Sequence, residues 1–181
     1  MSRLFVAVDL DEPARDLVAE AIELLRAAGV DARFSARDKW HATLAFLGPI
    51  APERRPAVYE AVDAAAAASE PFELTLDAVG AFPSPNRPRV VWVGSSKSQP
   101  EFAACTAAVR TRLAALDLQF EGDAVPHVTV CRIKRPATAL PPVALNRSAR
   151  VRVDALTVYE SVPAGRTTAY HVLRRASLGR H

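Results

Sequence analysis

The sequence predicts an α+β fold made mainly of antiparallel sheet. Strand-like and helix-like segments mix without strict β–α–β alternation, and several strand candidates are joined by short links. One strand–helix–strand unit also occurs twice, which predicts two pseudo-symmetric lobes with outer helices and a central cleft. At 181 residues the chain fits a single bilobal domain, 1–181, large enough to bury a core without staples.

Taken in order, Leu4 to Leu10 reads as a buried strand. Asp11-Glu12-Pro13 supplies a helix start, an acidic cap followed by a proline whose missing N–H costs nothing in the first turn. Leu17, Ala21, Leu24, Leu25 and Ala28 then line one helical face, and Gly29 ends it. Trp40 to Leu47 reads as a strand with His41, Thr43, Ala45 and Leu47 on one face, closed by Gly48-Pro49. Pro56 to Ser69 is an Ala-rich helix, and Ala64 to Ala68 favours close packing.

Phe72 to Val79 and Arg89 to Val93 read as strands joined by the proline-rich FPSPNRP. Glu101 to Leu116 reads as a third helix. His127 to Ile133 reads as a strand with His127, Thr129 and Cys131 on one face. A connector from Pro136 to Pro142 leads to strands Val151–Tyr159 and Thr168–Leu173 around a Pro163-Ala164-Gly165 turn.

Composition excludes several classes. Half the residues (50%) are apolar and 24% are charged, which is globular rather than disordered. No apolar run approaches the roughly 20 residues of a membrane span. The start MSRLFVAVDLDEP, interrupted by acids, is no secretory signal, so a cytoplasmic protein is expected. Cys105 and Cys131 read as free thiols. The net charge of +3 is uneven: residues 132–181 hold ten Lys or Arg against two acids, a net +8, leaving −5 for residues 1–131. That asymmetry suggests a polyanion partner, against the plainer reading of solvated surface arginines.

The chemistry points to two HxTx motifs, His41-Ala42-Thr43-Leu44 and His127-Val128-Thr129-Val130, 86 residues apart. Residues i and i+2 of a strand share a face, so each motif sets an imidazole beside a hydroxyl. Two such pairs facing each other suit attack on a phosphodiester. One neutral imidazole takes a proton from water and one imidazolium gives a proton to the leaving oxygen, while the hydroxyls hold non-bridging oxygens. Histidine suits both roles because it titrates near about 6.5. A structural use of one histidine is common, but two copies at equivalent places in a repeat, among four histidines, favour catalysis. A His127/Cys131 metal site is the weaker alternative. No Gly-rich phosphate loop is present, so ATP dependence is not expected.

RLFVAVDL, WHATLAFLG, HVTVCRI and the late VYES…Y segment together resemble the two-histidine (2H) phosphoesterases, specifically the RNA 2',3'-cyclic phosphodiesterases also called bacterial 2'-5' RNA ligases. The resemblance implies metal-independent hydrolysis of an RNA 2',3'-cyclic phosphate end to a 2'-phosphate, with reversible 2'-5' ligation as related chemistry. It implies His41 as proton donor to the 3' oxygen, His127 as proton acceptor from water, Thr43 and Thr129 on the phosphate, and no cofactor. It also places an arginine at Arg132, although plain alternation turns an odd offset away from His127 unless a bulge returns it. Trp40, Phe82 and Tyr170 are candidates for stacking on a base or ribose, and Arg89 for a phosphate contact. His171, alternating away from Tyr170, reads as structural or exposed, and His181 as a loose terminus. The expected partner is an RNA end bound by a monomer. The competing readings are an RNA-end-binding module without turnover and a 2H enzyme acting on a small nucleotide such as ADP-ribose cyclic phosphate.

Overall fold

The apolar run after Ser2 becomes β1, Ser2–Asp9, in a computed structural model that describes residues 2–120, 124–135, 139–165 and 167–179. Asp11 caps α1 (Glu12–Ala27) by accepting the Ala14 N–H at 3.0 Å, with Pro13 in the first turn. There follow β2 (Ala32–Phe34), β3 (His41–Ile50), α2 (Arg55–Ala67), β4 (Phe72–Leu76), β5 (Ala78–Phe82) and β6 (Val90–Gly94). The chain closes with α3 (Pro100–Ala114), β7 (His127–Ile133), β8 (Ala149–Val153), β9 (Ala155–Ala164) and β10 (Thr167–Ser177).

Eight strands form one antiparallel sheet in the order β10-β9-β1-β3-β7-β6-β5, with β2 added on β7. β4 and β8 form a separate pair. One sheet face is apolar and fully covered: Leu4, Val6, Leu44, Val128 and Val130 are at most 1% exposed and share a core with Leu17, Val62, Phe102 and Val109 of the three helices. α1 packs against β7 and β8, whereas α3 packs against β3 and β4. α1 and α3 thus each pack on one strand of the main sheet and one strand of the small β4–β8 pair, tying the two sheets together. Ala65 and Ala66 of α2 are fully buried, as the Ala-rich run predicts, and α2 lies beside α3, β9 and β10. No described helix is long and apolar enough to cross a membrane. His181 and part of the 136–142 connector lie outside the described residues.

Several boundaries differ from the sequence expectation: β9 runs on to Ala164, through two residues of the expected turn, and β10 runs to Ser177. β3 does not end at Gly48-Pro49, because β1 stays paired with it out to Ser2↔Ile50. The run Phe72–Val79 breaks at Asp77, whose carboxylate accepts the Ser96 N–H at 2.6 Å and hydroxyl at 2.8 Å. The run Val151–Tyr159 breaks in the same way at Asp154. After each aspartate the chain passes from the small β4–β8 pair into the main sheet as β5 or β9. The three-residue β2 had no sequence signal of its own.

Candidate active site

β3 and β7 meet at one residue pair, Ala42↔Val128. Antiparallel geometry about that pair sets His41 on the side of Thr129 and Thr43 on the side of His127. Ala42, Leu44, Val128 and Val130 are buried on the helix-covered face, and all four His and Thr residues are half-buried on the open one. The two HxTx motifs thus converge at the centre of the sheet.

The surrounding register is duplicated. In one half Asp9↔His41, Val8↔Ala42, Ala7↔Thr43, Val6↔Ala45 and Phe5↔Phe46 are paired. In the other, Gly94↔His127, Val93↔Val128, Trp92↔Thr129, Val91↔Cys131 and Val90↔Arg132 are paired. Each ladder skips one residue at the same place, Leu44 or Val130, which is a β-bulge. The extra residue reverses the alternation beyond it. Arg132, at an odd offset from His127, is therefore returned to the open face, where it is exposed. Phe46 stands at the equivalent position in the first half and is 68% exposed. The same reversal corrects three expectations. Ala45 and Leu47 leave the His41 face, and Cys131 leaves the His127 face for the core, at 1% exposure. Burial there pushes the Cys131 thiol up to about 11, so it is neither positioned nor ionised to share a metal with His127.

Both imidazoles are enclosed by rings. His41 stacks on Phe5 at 4.8 Å and meets the edge of Tyr170 at 5.5 Å, with Tyr159 at 6.1 Å. His127 meets Phe82 edge-on at 4.9 Å and lies 6.5 Å from Trp92. Gly80 and Gly94 admit the Trp92 ring: an added Cβ would lie 2.3 Å from it at Gly80 and 2.8 Å from it at Gly94. His127 Nδ1 lies 2.8 Å from the Val125 carbonyl, which can only accept, so Nδ1 carries the hydrogen and Nε2 keeps its lone pair. His41 bonds the carbonyl of Lys39, also two residues upstream. Burial lowers both rings, His41 to about 4 and His127 also below its ordinary value, so both are neutral at neutral pH in the unliganded molecule. Asp9 raises His41, and each histidine is close enough for His127 to lower it. The Asp9 carboxylate accepts the Thr157 hydroxyl at 2.8 Å and the Tyr159 hydroxyl. Burial first, then Asp9, pushes the Tyr159 hydroxyl above its ordinary value.

Of the other sequence candidates, Phe82 and Tyr170 join the site through these ring contacts. Trp40 does not: it is 6% exposed, its Nε1 donates to Ser35 Oγ at 3.0 Å, and it belongs to the core. Arg89 is exposed just outside β6, its backbone bonded to Phe82 and Ile133, and alternation from Val90 turns it to the other face. His171 is exposed. Phe5, Asp9, Phe46 and Tyr159 were not singled out by the sequence, although RLFVAVDL and VYES contain three of them. The cavities beside Phe72 and Arg152 and beside Gly29 and Leu140 contain neither histidine.

Several basic residues of the C-terminal segment have acidic partners in the first two thirds of the chain. Lys134 pairs with Asp31, Arg147 with Glu20 and Arg174 with Asp63, while Arg175 lies 3.7 Å from Asp9. Its charge is thus partly the counter-ion of the acidic first two thirds. Arg166 and Arg180 lie outside the described residues.

Residues 8–92 match the family described as LigT like Phosphoesterase. An RNA 2',3'-cyclic phosphodiesterase of Archaeoglobus fulgidus is 37% identical over 74% of this chain and 73% of its own length. The Escherichia coli protein of the same name is 32% identical over 97% of this chain and 96% of its own. The crystal structure of E. coli LigT complexed with 3'-AMP superposes with a TM-score of 0.77 at 29% identity, covering 99% of both chains.

Proposed function

Because the chain belongs to the LigT-like 2H phosphoesterase family, we propose that residues 1–181 act as one bilobal enzyme hydrolysing RNA 2',3'-cyclic phosphate ends to 2'-phosphates. The observation that carries this reading is the duplicated, bulged register that sets His41, Thr43, His127, Thr129 and Arg132 on one open face.

His127 Nε2 accepts a proton from the attacking water as its oxygen bonds to phosphorus. The P–O3' bond breaks, and His41 donates its proton to the departing O3', leaving a 2'-phosphate. Exchange with solvent then resets both rings. Thr43 and Thr129 hydroxyls hold the non-bridging oxygens, and the Arg132 fork neutralises their charge. No metal is required by this sequence of proton transfers. A ribose hydroxyl in place of water gives 2'-5' ligation at the same site. Phe46 offers an exposed ring to the base of the terminal nucleotide, which fits the relative crystallised with 3'-AMP.

The test offers an oligonucleotide with a 2',3'-cyclic phosphate end, in EDTA. The expected product is the 2'-phosphate. A 3'-phosphate product, or tight binding without turnover, overturns the reading, the second in favour of an RNA-end-binding module.

A further inference from the structure

The two halves of the site share one register, but their pairing strands carry different side chains. Asp9 is the cross-strand partner of His41, and Gly94 is the cross-strand partner of His127. No side chain fits at Gly94: a Cβ there would lie 2.8 Å from the Pro126 carbonyl oxygen and 2.8 Å from the Trp92 ring. A carboxylate therefore stands across the strand pair from one imidazole and is sterically excluded at the equivalent position of the other. Asp9 is fixed in place, since Thr157 Oγ1 (2.8 Å) and the Tyr159 hydroxyl donate to its two oxygens. The equivalent positions on β5 are Gly80 and Phe82, which offer no donor.

Resting on the reading that the site hydrolyses a cyclic phosphodiester, we infer that Asp9 is the positioning residue that lets His41, rather than His127, hold the proton delivered to the leaving oxygen. A buried imidazole tends to be neutral. For the general base that is the required state, and His127 is lowered by burial, with no charged partner acting on it among the described residues. A buried general acid needs a negative neighbour to keep its proton, and His41 has one. The groups around His41 are Asp9 on β1, His127 on β7, Arg15 on α1, Tyr159 on β9 and Tyr170 on β10, with Lys39 just upstream 5.0 Å over the Tyr170 ring. Of these, Asp9 is the only carboxylate, while Arg15 and His127 oppose the proton. Arg175, 3.7 Å from Asp9 and 62% exposed, tempers that carboxylate without pairing closely. The incoming phosphodiester anion adds negative charge beside both rings, and Asp9 adds to it beside His41.

Two readouts test this on the full chain. The kcat–pH profile reports groups in the bound complex. In Asp9→Asn its alkaline limb, which follows loss of the His41 proton, moves to lower pH by about one unit, roughly a tenfold loss above the limb. KM and the acid limb stay near wild type, and Asp9→Glu restores part of the shift. Independently, 15N NMR of wild-type histidines with saturating inorganic phosphate shows His41 protonating at higher pH than His127. The inference is overturned if wild-type turnover is intact and the Asp9→Asn profile is unmoved, or if phosphate-bound His127 takes the proton first. If wild type fails to hydrolyse cyclic ends but the NMR order holds, the function reading fails while the role of Asp9 stands.

Discussion

Lowering the pH should destabilise this protein through His41. In the unfolded chain a histidine titrates near about 6.5. In the folded protein burial holds His41 at about 4. A depressed value means the folded state favours the neutral ring, so its stabilising effect is complete above pH 6.5 and is lost as pH falls to 4. The gap between these values, at about 1.36 kcal/mol per pH unit, is worth about 3 kcal/mol. That is a large part of the ordinary stability of a domain. Urea unfolding followed by the fluorescence of Trp40 and Trp92, at a series of pH values, measures it for wild type and His41→Gln. Because glutamine does not titrate, the difference between the two should change by about 3 kcal/mol in favour of the variant between pH 7.5 and pH 4. Parallel stability curves would refute the burial assigned to His41, and with it the argument that an unliganded site rests with a neutral ring there.

Arg132→Ala should lower kcat/KM by about tenfold to a hundredfold, the loss of one charge-assisted contact, and Arg132→Lys should recover only part of it. Phe46→Ala should raise KM for a cyclic-ended oligonucleotide by roughly five- to a hundredfold while leaving its effect on an abasic end small, as expected for one lost stacking contact. Trp40→Phe should change neither constant appreciably, because its ring is in the core; a large KM effect would return it to the site.

Much of this was legible in the sequence because the signals were local. Asp11-Glu12-Pro13 starts α1 as its capping chemistry requires, and His127–Ile133 has the predicted bounds. The HxTx spacing fixed four residues on a face, since period two holds over three residues whatever happens later. It failed beyond Leu44 and Val130, where a single inserted residue leaves no compositional mark yet reverses the side chains next to it. That is why Ala45, Leu47 and Cys131 were misplaced and why Phe46 went unnoticed. The breaks at Asp77 and Asp154 are similar: an apolar run shows that a segment is buried but not which sheet receives each part. Trp40 drew notice by standing next to His41, and adjacency along a strand means opposite faces. The pairing of part of the basic segment could not be read from the sequence, because its partners Glu20, Asp31 and Asp63 are distant along the chain.

The central claim is that His41 and His127 act as one proton-transfer pair across the Ala42↔Val128 contact. Its most direct test is a kinetic cycle of wild type, His41→Ala, His127→Ala and the double variant on a cyclic-ended oligonucleotide. Each single change should lower kcat by about 10²- to 10⁴-fold, and the double variant should be little slower than the worse single one, because groups acting in one step are not additive. Near-normal turnover in either single variant would contradict the account, as would two losses that simply multiply.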